Sequence, residues 1–371
     1  MDFSLTAEQS AMVETARSFA KKAVAPEVEK YDRPGAPYPA EWIAKLGKLG
    51  FSRLAVPPEM GGVGSGTLSA GLALEEIATA CAGLATALLG AIAGVVAVEI
   101  SASPEAAKRL ISDDMERGGP GWRASLAGLP YAPFEAGAGG KLSGKAFGVI
   151  GAGHASWYAS LVRESGVTCY ALPGGMEGLK VEPLSDPLGL RAASLGKLTL
   201  KDCEPPESSR LGEIEPNSLL ALIAPLQGCI AVGCARAALD AAENYGRERY
   251  QGGDQIIRHD TVAHLILANR ARVNAARSHL QRVMATNDSL INQKDGSLRG
   301  APDVVEAVLA RIFATDAALQ AGLDAVQCFG GYGYMHDYPV EKRMRDARSI
   351  GMLFGTSPEL LTRIKYSLEE A

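Results

Sequence analysis

The residues most able to do chemistry lie late in the chain. The segment Gln327–Asp346 reads QCFGGYGYMHDYPVEKRMRD and follows a helical pattern. Gly330, Gly331 and Gly333 let the backbone approach a partner closely and present its N–H groups. Gln327 and Arg345 add side-chain donors suited to a phosphate or a ribose. The same letters also fit a glycine-rich helix end and a tight turn. A second stretch, Asn244–Asp260, reads NYGRERYQGGDQIIRHD. Arg247, Arg249 and Arg258 flank a Gly-Gly turn, and arginine grips phosphate through paired N–H donors. A solvated basic turn has the same composition. The third stretch is GMLFGTSPELL, from Gly351 to Leu361. Thr356 and Glu359 have capping-box spacing, and Pro358 is tolerated in a first helical turn. Phe354, just before Gly355 and Thr356, is bulky and has no acid–base chemistry.

Other chemistries have little support. His259 and His264 are five apart, not the three or four that bring two ligands onto one helical face, so no metal site is expected. The six cysteines, at 81, 169, 203, 229, 234 and 328, form no CxxC and read as buried thiols in a reducing compartment. A net charge of −5 argues against nucleic acid as the main partner. The apolar run LATALLGAIAGVVAVEI (Leu84–Ile100) is Ala/Gly-rich and closed by Glu99, which reads as a buried helix, not a membrane span. The opening MDFSLTAEQ is acidic and lacks the apolar region of a signal peptide, so a cytoplasmic location is expected.

Elements that position these residues follow from pattern. With 371 residues, 47% hydrophobic and 21% charged, the chain can build two or three units with real cores. Residues 1–117 read as helical. Thr6 and Gln9 form a capping box, and apolar residues recur from Met12 to Val24, with Pro26 near the end. PAEWIAKLGKLG is a second helix ending at Gly50, and one or two buried helices follow the loop VPPEMGGVGSG. Residues 118–212 change texture. FGVIG, WYASLVRE, TCYALP, LKVEPL and GKLTLKDC are short apolar runs between glycines and prolines, as in strands. Residues 213–371 return to long apolar helices with bundle periodicity. The expected class is α+β, mainly α.

In order along the chain, these segments resemble the acyl-CoA dehydrogenase family. FSLTAEQSAMVETARSFAKKAVAP is similar to its opening helix, and LGFSRLAVPPEMGGVG to its "lGl…vPeeyGGxG" turn. LGLRAASLGKLTLKDCEPPESSRLG is similar to the end of its middle domain. RERYQGG resembles the "ER…FG" turn, and QCFGGYGYMHDYPVEKRMRDAR the "Q…GGxGY…yPvE…RDa" segment. FGTSPEL stands where the family has "EGTxxxQ". The resemblance implies an N-terminal helical domain, a middle β-barrel domain and a C-terminal four-helix bundle. It implies FAD as cofactor, shared across subunits of a dimer, and an acyl-CoA substrate. A Glu would take the α-proton while the flavin takes a β-hydride, and electrons would leave to an electron-transfer flavoprotein.

The departures fall mostly on one side of that machinery. Phe354 stands at the usual base position and cannot accept a proton. The alternative position on the first bundle helix falls near Ile223 and Ala224, with no acid. The middle-domain loop that contacts flavin reads LAGLPYAPFEAGAGG, and Phe147 replaces the Trp of the flavin-packing strand. The resemblance assigns Arg249, Gln327, Gly330 and Gly331 to the neighbour's FAD, with Gly252 in place of the family's Phe. It assigns Gly355 and Thr356 to the chain's own cofactor, with Pro358 in place of the following Gln. The expected function is the non-catalytic subunit of a heteromeric acyl-CoA dehydrogenase, lending ADP and pyrophosphate contacts to a homologous partner's FAD. One alternative is a self-sufficient FAD enzyme with non-oxidative chemistry or a base relocated to Glu135, Glu213 or Glu215. The other is a flavin-free scaffold that binds an acyl-CoA or acyl-carrier partner. The Ala-rich run at 84–94 would suit a pocket for a bulky or cyclic acyl group, or simply close helix contacts.

Overall fold

The computed structural model describes residues 4–101, 103, 105–110, 124–127, 134–293 and 303–365. Helix α1 (Ala7–Phe19) begins on the expected capping box: the Thr6 N–H donates to Gln9 Oε1 at 3.0 Å, and the Gln9 N–H donates to Thr6 Oγ1 at 3.1 Å. The helical path continues past Phe19 in different hydrogen bonding, a wide π turn over Ala20–Val24 and a tight 3₁₀ turn over Ala25–Tyr31. Pro26 has no N–H for the carbonyl four residues back, which disfavours regular α-helical bonding at this point. Helix α2 (Ala40–Lys48) ends where Gly50 turns left-handed at φ +79°.

Helices α3 (Gly66–Ala80) and α4 (Ala82–Ser101) are broken by extended Cys81. Every residue of α4 from Ala82 to Ile100 is buried. It is long and apolar enough to cross a membrane, as is the later helix Pro216–Glu248, yet the apolar stretch of each is buried inside the protein. The small residues of α4 serve packing against the middle unit. A Cβ on Gly90 would fall 2.6 Å from Ile150 Cγ2, and one on Gly94 would fall 3.0 Å from the Ser125 carbonyl carbon. That close approach accounts for the glycines of the run without an acyl pocket.

The five expected strands are β3 (Leu142–Val149), β4 (Trp157–Arg163), β5 (Val167–Pro173), β6 (Leu179–Pro183) and β7 (Gly196–Cys203). Three more were not legible: β1 (Ala124–Ala127), β2 (Phe134–Ala136) and β8 (Arg210–Glu213). They form one sheet in the order β6-β7-β3-β2-β4-β5-β8, with β1 also pairing parallel to β4. Phe134, Leu142, Tyr158, Leu172, Leu198 and Leu200 fill its own small core. The boundary at 117/118 lies outside the described residues, as does 128–133 of the departed loop.

Glu164, in the β4–β5 turn, ties this sheet's edge together. It accepts from Tyr170 Oη at 2.5 Å, Thr168 Oγ1 at 2.8 Å and Arg210 Nη2 at 2.8 Å. The Arg210 and Tyr170 hydrogen bonds hold its carboxyl at about 2, well below the ordinary range. A folded-state value below the unfolded one adds stability that is complete above the ordinary carboxylate pKa. That stability drains as pH falls toward 2. Wild type should therefore be more stable than Glu164→Gln at pH 7, and the gap should narrow progressively below about pH 4.5. Urea unfolding at several pH values reads this; a pH-independent gap would contradict it.

The C-terminal unit is a four-helix bundle of α5 (Pro216–Glu248), α6 (Asp260–Gln293), α7 (Val304–Phe329) and the shorter α8 (Val340–Ile350), followed by α9 (Ser357–Ile364). It shares one core with α3 and α4, from Leu74 and Leu89 to Ile223 and Leu226. Ion pairs between two buried glutamates and partly exposed arginines reinforce the contact. Glu75 accepts from Arg277 Nε at 2.8 Å and from Arg236, and Glu76 accepts from Arg236 at 3.0 Å and Arg17 Nε at 3.1 Å. All six cysteines are buried free thiols, as their scatter implied.

Candidate functional site

Arg249 caps the C-terminus of α5, where its N–H bonds the Tyr245 carbonyl at 2.8 Å. The chain then reverses through a hairpin, Tyr250–Gln251 paired with Asp254–Gln255, across Gly252 and Gly253 at φ +65° and +92°. Gln327 lies at the end of α7, which stops at Gly330 because φ +56°, ψ −135° is backbone that only glycine adopts readily. These two chain reversals meet. Arg249, Gln327, Gly330 and Gly331 line one groove of about 600 Å³, together with Tyr245, Gln251, His259 and Tyr332. No carboxylate is among its lining residues.

The three arginines of the hairpin region separate in the structure. Arg247 is paired with Glu243, and Arg258 with Asp254 at 3.2 Å. Arg249 has neutral neighbours: Nη2 donates to Gln251 Oε1 at 3.3 Å, and the guanidinium carbon lies 5.6 Å from the centre of the Tyr332 ring. Of these three arginines it is the one with no carboxylate partner among the described residues, so its charge is left for an anion. Aromatic rings build the wall behind it. Tyr245 stacks on Phe329 at 4.1 Å, and Tyr338 meets Phe329, Tyr245 and Tyr332 edge-on at 5.3–5.9 Å. A Cβ at Gly330 or Gly331 would meet nothing within 4 Å, so the space over both is open. A diphosphate carrying a flat base fits this donor set.

Arg345 is not part of the groove. Its guanidinium donates to Asp32 at 2.6 Å, to Glu341 at 2.6 and 3.0 Å, and to the Leu188 carbonyl at 2.8 Å. Two carboxylates claim it, and it ties α8 to the middle unit.

Gly355 and Thr356 lie elsewhere. The turn from Ile350 to Gly355 is held by two buried side chains. Arg311, on α7 and 0% exposed, donates to the carbonyls of Gly351 (2.9 Å), Leu353 (3.1 Å) and Gly355 (2.7 Å). Gln227, on α5, donates to the carbonyls of Ile350 (2.5 Å) and Leu353 (2.9 Å) and accepts from Arg311 Nε at 3.3 Å. Within this clamp Phe354 adopts φ +53°, buried in the main core. A bulky side chain in that region costs about 1–2 kcal/mol, which the surrounding bonds must offset. Thr356 is not available to an anion. Both its N–H (2.7 Å) and its hydroxyl (2.8 Å) donate to Glu359 Oε2, which caps α9. These bonds hold the Glu359 carboxyl below its ordinary range.

Arg311 and Gln327 are sixteen residues apart on one helix, which is ~24 Å along its axis. The six candidate residues therefore form two groups at opposite ends of α7. Ile223 and Ala224 are buried apolar residues of α5. Glu135, Glu213 and Glu215 are all exposed; Glu215 caps α5 by accepting from the Asn217 N–H at 3.1 Å. Glu215 also precedes Gln227, the clamp residue beside Leu353, by twelve positions, or ~18 Å of helix. Phe147 stands out of β3 with 67% of its surface exposed. Tyr245, His259, Phe329 and Tyr332 were missed in the sequence. Their signal was there: each aromatic or imidazole lies within one helical turn, or within the same turn, of the Arg and Gly clusters.

Family models described as acyl-CoA dehydrogenase, N-terminal domain, and acyl-CoA dehydrogenase, C-terminal domain, match residues 6–114 and 218–368. The chain is 31% identical over 367 residues to cyclohexane-1-carbonyl-CoA dehydrogenase of Geobacter metallireducens, covering 93% of each. Among solved structures it is similar to butyryl-CoA dehydrogenase from Megasphaera elsdenii, at 26% identity and TM-score 0.84, covering 99% of this chain and 100% of that one. It is also similar to a chain in the structure of the electron transferring flavoprotein of Acidaminococcus fermentans, at 26% identity and TM-score 0.87, covering 99% of both.

Proposed function

The chain belongs to the acyl-CoA dehydrogenase family, and from that membership we propose that it is the non-catalytic half of a heteromeric acyl-CoA dehydrogenase. In this reading the groove around Arg249 holds the ADP end of an FAD whose flavin is seated in a homologous partner subunit. FAD is the cofactor of this family, and when bound it accepts the hydride in α,β-dehydrogenation of an acyl-CoA thioester.

The observation that carries the reading is the division along α7. At one end, the groove keeps a free cation, an aromatic wall and open backbone. At the other, Phe354 cannot hold a proton and Glu359 takes both Thr356 donors. In the partner's site, Arg249 would bind the diphosphate as a charge-assisted donor, Gln327 would orient the nucleotide, and the rings would exclude water from it. The outward face of α7 supports a subunit contact beside the groove: Leu309, Phe313 and Leu323 are large apolar residues left exposed along it. The 31% identity to cyclohexane-1-carbonyl-CoA dehydrogenase makes a cyclic acyl-CoA the first substrate to try on the complex, with an electron-transfer flavoprotein as acceptor.

Co-purification tests this. The chain expressed alone should lack a flavin absorbance band and dehydrogenase activity. Expressed with a homologous dehydrogenase chain encoded beside it, it should form a flavin-loaded, active complex. An active, flavin-loaded assembly of this chain alone would overturn the proposal.

A further inference from the structure

Lys342 and Arg343, near the start of α8, line a recessed cavity of about 210 Å³ that shares no residue with the groove. The cavity lies against the Ala25–Tyr31 turn and is closed by the α3–α4 break and by Cys234 of α5. Val28, Ala78, Ala82 and Pro339 give it apolar walls. Its charged lining is Lys342, Arg343 and Asp346 of α8, with Glu29 exposed at the rim.

The two cations differ in their partners. Lys342 is bonded to Asp346 and lies 4.0 Å from Asp32. The other oxygen of Asp346 accepts from the Leu190 N–H at 2.6 Å, and Asp32 accepts from Arg345 at 2.6 Å. Arg343 has no such pairing. Its Nη1 donates to the Thr79 carbonyl at 2.9 Å, and neither Nε, which is buried, nor Nη2 has an acceptor among the described residues. Asp240, the acid that α5 brings toward it, is paired with Arg270 at 2.5 Å. Burial pushes the pKa of the Arg343 guanidinium down. A cation withdrawn from water without a counter-charge is costly, and the edge carrying Nε and Nη2 matches the two oxygens of a carboxylate.

We propose that this cavity is a binding site for a short-chain monocarboxylate, with its carboxylate on the guanidinium of Arg343 and its alkyl chain against Val28, Ala78, Ala82 and Pro339. One guanidinium without a partner calls for one negative charge, and the apolar walls select an alkyl acid over an inorganic oxyanion. The site is independent of the groove and of the cofactor reading.

Butyrate is the probe. Thermal unfolding of the full chain is followed against butyrate, phosphate and chloride at one ionic strength. Butyrate should raise the midpoint in a saturable way, with half-saturation at about 1–10 mM, and the other two anions should not. Arg343→Met should weaken the response by about tenfold or more, the loss of a hydrogen bond to a charged group. In chloride alone that variant should unfold no lower than wild type, because the unpaired cation is gone. Arg343→Lys should fall between in butyrate affinity, since it keeps the charge without the planar fork. A phosphate response in place of the butyrate one would overturn the carboxylate assignment. A butyrate response unchanged in Arg343→Met, or none in wild type, would overturn the site, the latter meaning that Glu29 at the rim or water completes the guanidinium.

Discussion

Replacing Arg249 with alanine should weaken the affinity of the heteromeric complex for FAD by about ten- to a hundredfold, the 1.5–3 kcal/mol range of a hydrogen bond to a charged group. Equilibrium dialysis of flavin against the purified complex measures it. Charge pairing within the hairpin decides the size of the effect. Arg247 and Arg258 already have carboxylate partners, so alanine at either should change affinity by less than about threefold. Arg249 has only a neutral amide and an aromatic face near it. Lysine at 249 should recover part of the loss, since it keeps the charge but not the planar fork. Unchanged flavin occupancy in Arg249→Ala would sink the cofactor assignment of the whole groove.

The second large effect belongs to the clamp on the 350–355 turn. Arg311→Leu should lower the stability of the chain by about 3–5 kcal/mol, read by urea unfolding. Burying leucine there recovers apolar area but takes the side-chain donor from the Gly351 and Gly355 carbonyls and leaves Leu353 with Gln227 alone. Arg311→Lys should fall between, because lysine keeps the charge and three N–H donors but loses the Nε donor to Gln227 and the rigid planar fork. Flavin affinity of the folded complex should shift by less than about threefold in Arg311→Lys, because the groove is ~24 Å away along α7. A loss under 1 kcal/mol in Arg311→Leu would mean the turn is held by packing alone.

What was legible in the sequence was local. Capping boxes at Thr6 and Thr356, the left-handed stop at Gly50 and the five longer strands each depend on residues close in the chain. Arg249 and the Gly330–Gly331 turn were legible because each is a compact cluster, although their meeting in one groove is a tertiary fact. Arg345 was misread for the converse reason. Its partner Asp32 is 313 residues away, so nothing near it showed that its charge was already satisfied. A separation of 40–44 residues hid Arg311, which reads as an ordinary helix residue until Gly351–Gly355 folds over it. Thr356 serves the helix cap that its spacing to Glu359 implied, with the carboxylate occupying both its N–H and its hydroxyl. Strands β1 and β2 were missed because three or four residues carry too little alternation to separate a strand from a loop.

The length of α7 also sets a count. In a symmetric pair of intact chains, each nucleotide would be bracketed by the turn end of one subunit and the groove end of the other, and the pair would carry two flavins. Here the turn end carries Phe354 and has the Thr356 donors taken by Glu359, while the groove end remains open. The proposed assembly therefore carries one flavin for every pair of chains, and the partner's own groove faces a site with nothing in it. That groove is released from any demand to bind phosphate, so the two subunits of such a complex would have complementary, not duplicate, residues under constraint.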